Sequence, residues 1–148
     1  MTKILLINGP NLNLLGTREP EKYGKTTLAD IESELKTLSA ELGCELDCFQ
    51  SNFEGEIIEK IHSAMDKYDG IIINAGGLTH TSVSIRDAIA SVNIPTVEVH
   101  MTNVHAREDF RHNSFISGVS VAQVIGFGKN SYKYALEGLI EWMKNNKM

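Results

Sequence analysis

A chain of 148 residues fits one ordinary domain, and its 42% hydrophobic and 22% charged residues, with 12 Gly and only 3 Pro, exclude disordered, collagenous and disulfide-scaffold classes. The 14 Lys and Arg stand against 19 Asp and Glu, a net charge of −5, so neither nucleic acid nor an anionic membrane is expected as the main partner, and any anionic ligand needs local cations to hold it. Nothing approaches the ~20 apolar residues of a spanning helix, and the opening run is too short and too poorly flanked for a signal peptide, so the expected location is the cytoplasm.

In chain order, Ile4 to Ile7 reads as a buried first strand. Leu28, Ile31, Leu35, Leu38 and Leu42 then recur at helical steps, with Thr27 and Asp30 as a helix-starting box and Gly43 at the exit. A second strand is expected from about Glu45 to Phe49. It carries Cys44 and Cys48 in its neighbourhood at C-x3-C spacing, which reads as two ordinary buried thiols in a reducing setting. Ile57, Ile58, Ile61 and Met65 mark a second helix ending near Tyr68-Asp69-Gly70, and Ile71-Ile72-Ile73 a third strand, buried on both faces. A third helix spans about Ser82 to Val92 with Ile85, Ala88, Ile89 and Val92 inward. Pro95 separates it from a fourth strand at Thr96 to Val99. Val119 to Ile125 reads as the fifth strand, and about Tyr132 to Lys144 as the last helix, with Leu136, Leu139, Ile140 and Met143 inward.

This alternation is that of an α/β protein, and five βα units predict a single domain over residues 1–148: a doubly wound, five-stranded parallel sheet of flavodoxin-like order 2-1-3-4-5. Ligands of such sheets bind beyond the carboxyl ends of the strands, so the polar residues at Asn8 to Asn11, Asn74 to His80 and Glu98 to Thr102 are the ones to judge. Glu98 and His100, two apart on a strand, share a face. They read either as an acid–base pair, in which the carboxylate orients the imidazole, or as a polar pair of no catalytic use. Gly76-Gly77 with Thr79, Thr81 and Ser82 opens the third helix, either as an anion receptor or as a tight turn with a capping hydroxyl. Gly16 to Lys25 has the make-up of a lid bearing Arg18 and Tyr23, or of a merely solvated loop. A phenol serves as a base near neutral pH only if a cation stabilises its phenolate, and Arg18 is the nearest candidate. Met101 to Ser114 holds His105, Arg107, Arg111 and His112, where an arginine fork could clamp a carboxylate and where Arg107 and Arg111 are spaced to share a helical face.

Missing motifs narrow the choice. There is no G-x-x-x-x-G-K-[ST], G-x-S-x-G or G-x-G-x-x-G after a strand, no histidine spacing of a metal site, and Asn74 stands where a phosphoacceptor receiver needs an aspartate.

The blocks Ile7-Asn8-Gly9-Pro10-Asn11-Leu12-Asn13-Leu14-Leu15-Gly16-x-Arg18-Glu19-Pro20-x-x-Tyr23-Gly24, Gln50-Ser51-Asn52-x-Glu54-Gly55-Glu56, Asn74 to Ser82, and Glu98-Val99-His100-x-x-Asn103-x-His105-Ala106-Arg107-Glu108 follow one another in the order of a known family. Together with Phe110-Arg111-His112 and Gly126-Phe127-Gly128, they make almost the entire chain resemble type II 3-dehydroquinate dehydratase. The resemblance implies a flavodoxin-like subunit of a dodecamer that removes water from 3-dehydroquinate to give 3-dehydroshikimate in the shikimate route, with no metal, cofactor or Schiff-base lysine. It also implies Tyr23 as base, Arg18 as the cation stabilising its phenolate, His100 as acid oriented by Glu98, and Asn11 holding Tyr23 or a water at the enolate. Asn74, His80, Arg111 and the backbone at Met101-Thr102 would hold the substrate, while Asp87 would reach into a neighbouring subunit's site. Phe53, Gly118 and Ser131 depart from the family's usual residues, the last two raising a question of local backbone shape. A silent binding module and a lyase or hydratase for another cyclic polyol acid are the competing classes, and activity on 3-dehydroquinate separates them.

Overall fold

The alternation of side chains along one strand sets the layers of the molecule. In the computed structural model, which describes residues 1–17, 21 and 24–146, strand β1 (Thr2–Asn8) sends Ile4 and Leu6 into one apolar layer and Leu5 and Ile7 into the other. Helices α1 (Leu28–Glu41) and α4 (Asn130–Asn145) close the first layer with Ile31, Leu35, Leu136 and Leu139. Helices α2 (Glu54–Ser63) and α3 (Val83–Val92) close the second with Ile57, Ile61, Ile85 and Ile89. Each of these side chains contributes about 1.5–3 kcal/mol by leaving water, which is why the two-sided apolar strands lie at the centre.

Strands β2 (Cys44–Gln50), β3 (Gly70–Asn74), β4 (Thr96–His100) and β5 (Ala122–Ile125) complete an all-parallel sheet of order β2-β1-β3-β4-β5, the predicted doubly wound single domain. The predicted box at α1 is present, with Thr27 Oγ1 accepting from the Asp30 amide and Asp30 accepting from the Thr27 amide, and Gly43 leaves the helix at φ 76°. Cys44 is buried and Cys48 partly so, both are free thiols, and burial pushes Cys48 up to about 12.

Three boundaries differ from expectation. Helix α2 stops at Ser63, short of Tyr68, because the chain turns through Asp66 at φ 61°, so Met65 is 51% exposed instead of facing the core. Strand β5 begins at Ala122; Val119 belongs to a 3-10 turn, Ser117–Val119, with its apolar side chain packed on the α2/α3 layer. Between β4 and β5 the described chain forms three short 3-10 turns instead of an α-helix, so the five strands are served by four α-helices.

The register lines up the carboxyl ends of the central strands. Asn8 is level with both Gln50 and Asn74, and Glu98 is level with Ile73, which places His100 past the end of β3. The loops after β1 and β3 abut so closely that a Cβ at Gly9 would lie 2.6 Å from the Ala75 carbonyl oxygen, so only glycine fits there. No helix among the described residues is long and apolar enough to cross a membrane.

Candidate active site

A cavity of about 140 Å³ opens at this rim, between the loops that follow β1, β3 and β4. Asn11, Asn74, His80, His100, the Met101-Thr102 segment and Arg111 all line it, so the structure brings together most of the residues singled out in the sequence.

Glu98 and His100 form the pair their spacing predicts. Glu98 is 0% exposed, and its Oε2 accepts a 2.6 Å hydrogen bond from His100 Nε2. Two serines share the carboxylate: Ser114 Oγ donates to Oε2 at 2.9 Å and Ser117 Oγ to Oε1 at 2.5 Å. Burial alone would push the Glu98 carboxyl up, but His100, Ser117 and Ser114 hold it below its ordinary value, so the group is an anion in the folded protein. A carboxylate only accepts, so Nε2 carries a proton and Nδ1 is the imidazole nitrogen left for proton transfer in the cleft.

Beside them, the His80 ring stacks on His100 with centroids 6.2 Å apart, and its Nδ1 donates to the Asn113 carbonyl at 2.8 Å. Burial holds His80 below its ordinary pKa, helped by the neighbouring charges of His100 and Arg111, which leaves a neutral ring with Nε2 as an acceptor. Asn74 is clamped from beneath: its Nδ2 donates to Tyr132 Oη at 2.9 Å and its Oδ1 accepts from the Gly76 amide. Tyr132, wholly buried on α4, donates its own hydrogen bond to Asn8 Oδ1 at 2.6 Å, so the ends of β1 and β3 are tied through one phenol. The amide of Asn74 is thereby oriented with one N–H still to offer. Asn11 sits in the left-handed region at φ 72° and is anchored by its backbone N–H to Asn52 Oδ1 at 2.9 Å.

The cations come from the turns after β4. Arg111 Nε donates to Glu108 Oε1 at 3.0 Å and lies over the Phe110 ring, while Arg107 Nη1 donates to Thr102 Oγ1 at 3.2 Å and Arg107 Nε is 3.7 Å from the same Glu108 oxygen. Arg107 and Arg111 therefore converge, but Arg107 closes the short turn Val104–Ala106 while Arg111 lies in a second one, Asp109–His112, so the two gather about Glu108 and not along one helical face. The Glu108 backbone amide and the Arg111 guanidinium hold the Glu108 carboxyl down to about 2.

Other readings fare differently. Gly76 and Gly77 line the cleft, but they belong to a 3-10 turn, Gly76–His80, and do not open α3. The cap of α3 is Ser82, which accepts from the Ile85 amide and donates to Glu54, so the capping reading holds for the hydroxyl that opens the helix. Asp87 lies on the exposed side of α3, away from this chain's cleft. Arg18 and Tyr23 lie outside the described residues. Among the described residues no three His, Cys, Asp or Glu side chains are grouped to hold a metal ion. Of the departures, Ser131 is buried and its Oγ accepts from the Phe127 amide, and Gly118 leaves room for Arg86, whose Nη1 a Cβ would approach to 3.1 Å. Nothing in the structure explains Phe53, which is exposed. Sequence reasoning missed Ser114, Ser117 and Tyr132, which carry no local signal because their partners lie 16 to 124 residues away.

The chain is 56% identical over 143 residues to the 3-dehydroquinate dehydratase of Synechococcus sp. (strain CC9605), covering 97% of this chain and 98% of the relative. It is 54% identical to the enzyme of that name from Bacillus cereus (strain AH187), covering 97% and 99%. The crystal structure of a type II dehydroquinase from Butyrivibrio crossotus superposes with a TM-score of 0.92 at 45% identity, over 94% of this chain and 97% of that one. The family described as dehydroquinase class II matches residues 2–140, from the first residue of β1 through most of α4, so the sheet, its rim and the cleft all fall within the match and the chain belongs to the class II dehydroquinase family.

Proposed function

We propose that this chain is a hydro-lyase that removes water from 3-dehydroquinate to give 3-dehydroshikimate, in the shikimate route to chorismate and the aromatic amino acids. The observation that supports it most is the Glu98–His100 pair, buried at the wall of a cleft whose other polar groups suit a hydroxylated carboxylic acid. Elimination β to a ketone needs a base, an acid and groups aimed at the developing enolate. Tyr23, as a phenolate stabilised by Arg18, takes the proton from carbon 2, and the electron pair of that C–H bond passes into the enolate. His100 then delivers its proton to the departing hydroxyl on carbon 1, the carbon–oxygen bond breaks, and water leaves. Glu98 remains an anion throughout and stabilises the imidazolium that makes this possible.

In this reading Arg111 pairs with the substrate carboxylate, and Asn74, His80 and the backbone at Met101-Thr102 hold its hydroxyls. Asn11 holds Tyr23 or a water at the enolate oxygen. Asp87, exposed on α3, completes the site of a neighbouring subunit in a homo-oligomer, a dodecamer, that works in the cytoplasm. The test is the ultraviolet absorbance of the conjugated enone product when purified protein meets 3-dehydroquinate, with EDTA present and after borohydride treatment. A signal that survives both supports the Tyr23/His100 scheme. Silence from protein shown by sizing to be assembled would overturn it.

A further inference from the structure

We propose that Ser117, with Ser114 beside it, is a positioning residue of the reaction: the two hydroxyls act as a one-way clamp that presents the Glu98 carboxylate to His100 as a fixed acceptor. The inference rests on the dehydratase reading for its consequence, but its geometry is independent of any substrate.

The argument is one of counting donors and acceptors. A serine hydroxyl has one proton to give and two lone pairs to fill. Ser114 Oγ accepts from the backbone amides of Ile116 at 3.0 Å and Ser117 at 3.1 Å, so its lone pairs are used and its proton is committed to Glu98 Oε2. Ser117 Oγ accepts from Gln123 Nε2 on β5 at 3.1 Å, so its proton goes to Glu98 Oε1. Every bond in the network runs toward the carboxylate, and each donor polarises the next. Glu98 has lost all contact with water, so these hydroxyls are what replaces its hydration shell. Without them the carboxylate would depend on His100 alone, and the Nε2 proton of the imidazolium would be drawn to Glu98, leaving a neutral ring whose Nδ1 proton is far less acidic toward the leaving group.

Other charged groups surround the pair. His80 and Arg111 face His100 from the cleft, with Arg107 near them, and His105 and His112 line an adjoining cavity of about 190 Å³, shared with Glu98, His100 and Ser117. From α3, Arg86 is tied by Nη1 to the Phe115 carbonyl, and Gln123 is the group β5 supplies. Among the described residues, the donors to Glu98 are His100, Ser114 and Ser117, so the clamp on the carboxylate beside His100 is attributable to the two serines.

The test is an NMR titration of the His100 ring in the assembled enzyme, with no substrate, beside steady-state kinetics. In the unaltered protein the ring signals are expected to report protonation of Glu98 as an inflection at acid pH that Glu98→Gln removes. Ser117→Ala is expected to move that inflection up by about one pH unit, a tenfold gain in proton affinity, and to lower kcat about tenfold with KM little changed. Ser117→Thr, which keeps the hydroxyl, is expected to restore both. Gln123→Leu, at an exposed position, is expected to move the inflection the same way by less. A folded Ser117→Ala with an unmoved inflection would overturn the clamp, as would an unmoved Gln123→Leu if Ser117→Ala failed to fold. An unaltered enzyme that is inactive on 3-dehydroquinate while the inflection still shifts in Ser117→Ala would overturn the dehydratase reading and support the clamp.

Discussion

His100 and Arg111 face the same cleft, but the carboxylates that oppose them live in different surroundings. Glu98 is out of water and held by three donors, while the Glu108 side chain is 50% exposed and stands among the turns that carry the arginines. The first is a group whose charge has to be maintained by named neighbours, because water cannot help it. The second is already hydrated, and its pairing with Arg111 is screened by solvent and salt. The end of β4 thus holds a buried charge that depends on fixed partners, the surroundings that the proposed proton chemistry needs. The turns after it supply hydrated charge, which in the proposed reading lets Arg111 exchange Glu108 for the carboxylate of a substrate.

The largest effect tests the buried side of this contrast. His100→Asn is expected to lower kcat by about 10²–10⁴-fold, the range of general-acid catalysis, with substrate affinity largely kept, as steady-state kinetics against calorimetric Kd would show. Arg111→Ala tests the exposed side and is expected to raise Kd about tenfold to a hundredfold through loss of a charge-assisted hydrogen bond, with little change in melting temperature; an unchanged Kd by calorimetry would remove its clamp role.

Tyr132→Phe probes the scaffold between the two regions. It takes the partner from Asn8 Oδ1 and Asn74 Nδ2 in a buried site, and a loss of about 1–3 kcal/mol in urea unfolding is expected. A smaller effect separates the two carboxylates by pH. Glu98 is held below 4.5 in the folded protein, so its contribution to stability is complete above the unfolded value and is lost as pH falls through the lower native one. The unaltered chain should therefore lose more melting temperature on acidification below pH 4.5 than Glu98→Gln does. Glu108→Gln should leave melting temperature nearly unchanged, and its effect on Arg111 should fade as salt is added.

How legible the site was depended on the distance between partners. Glu98 and His100 stand two apart, and the period of a strand is enough to put them on one face. The box at Thr27 and Asp30 was equally plain, since both bonds close within one turn of helix. The apolar run at Val119 misled because a short apolar stretch fits a strand as well as a buried turn, and only packing against the α2/α3 layer decides. Arg107 and Arg111 had helical spacing, yet the chain there spends its hydrogen bonds in 3-10 turns around Asn103 and Glu108.

By itself the sequence determined the class and order of the sheet, through short two-sided apolar runs alternating with one-sided helices, and it placed Glu98 and His100 on one face, through strand period. Its motifs also determined the family. Only the tertiary structure decided what surrounds that pair. Ser114 and Ser117 reach Glu98 from 16 and 19 residues away, and Tyr132 joins Asn8 across 124. Hydrogen-bond partners at such separations are set by how the layers close on the sheet, and the need of each buried polar group for a partner becomes specific only once that closure has excluded water.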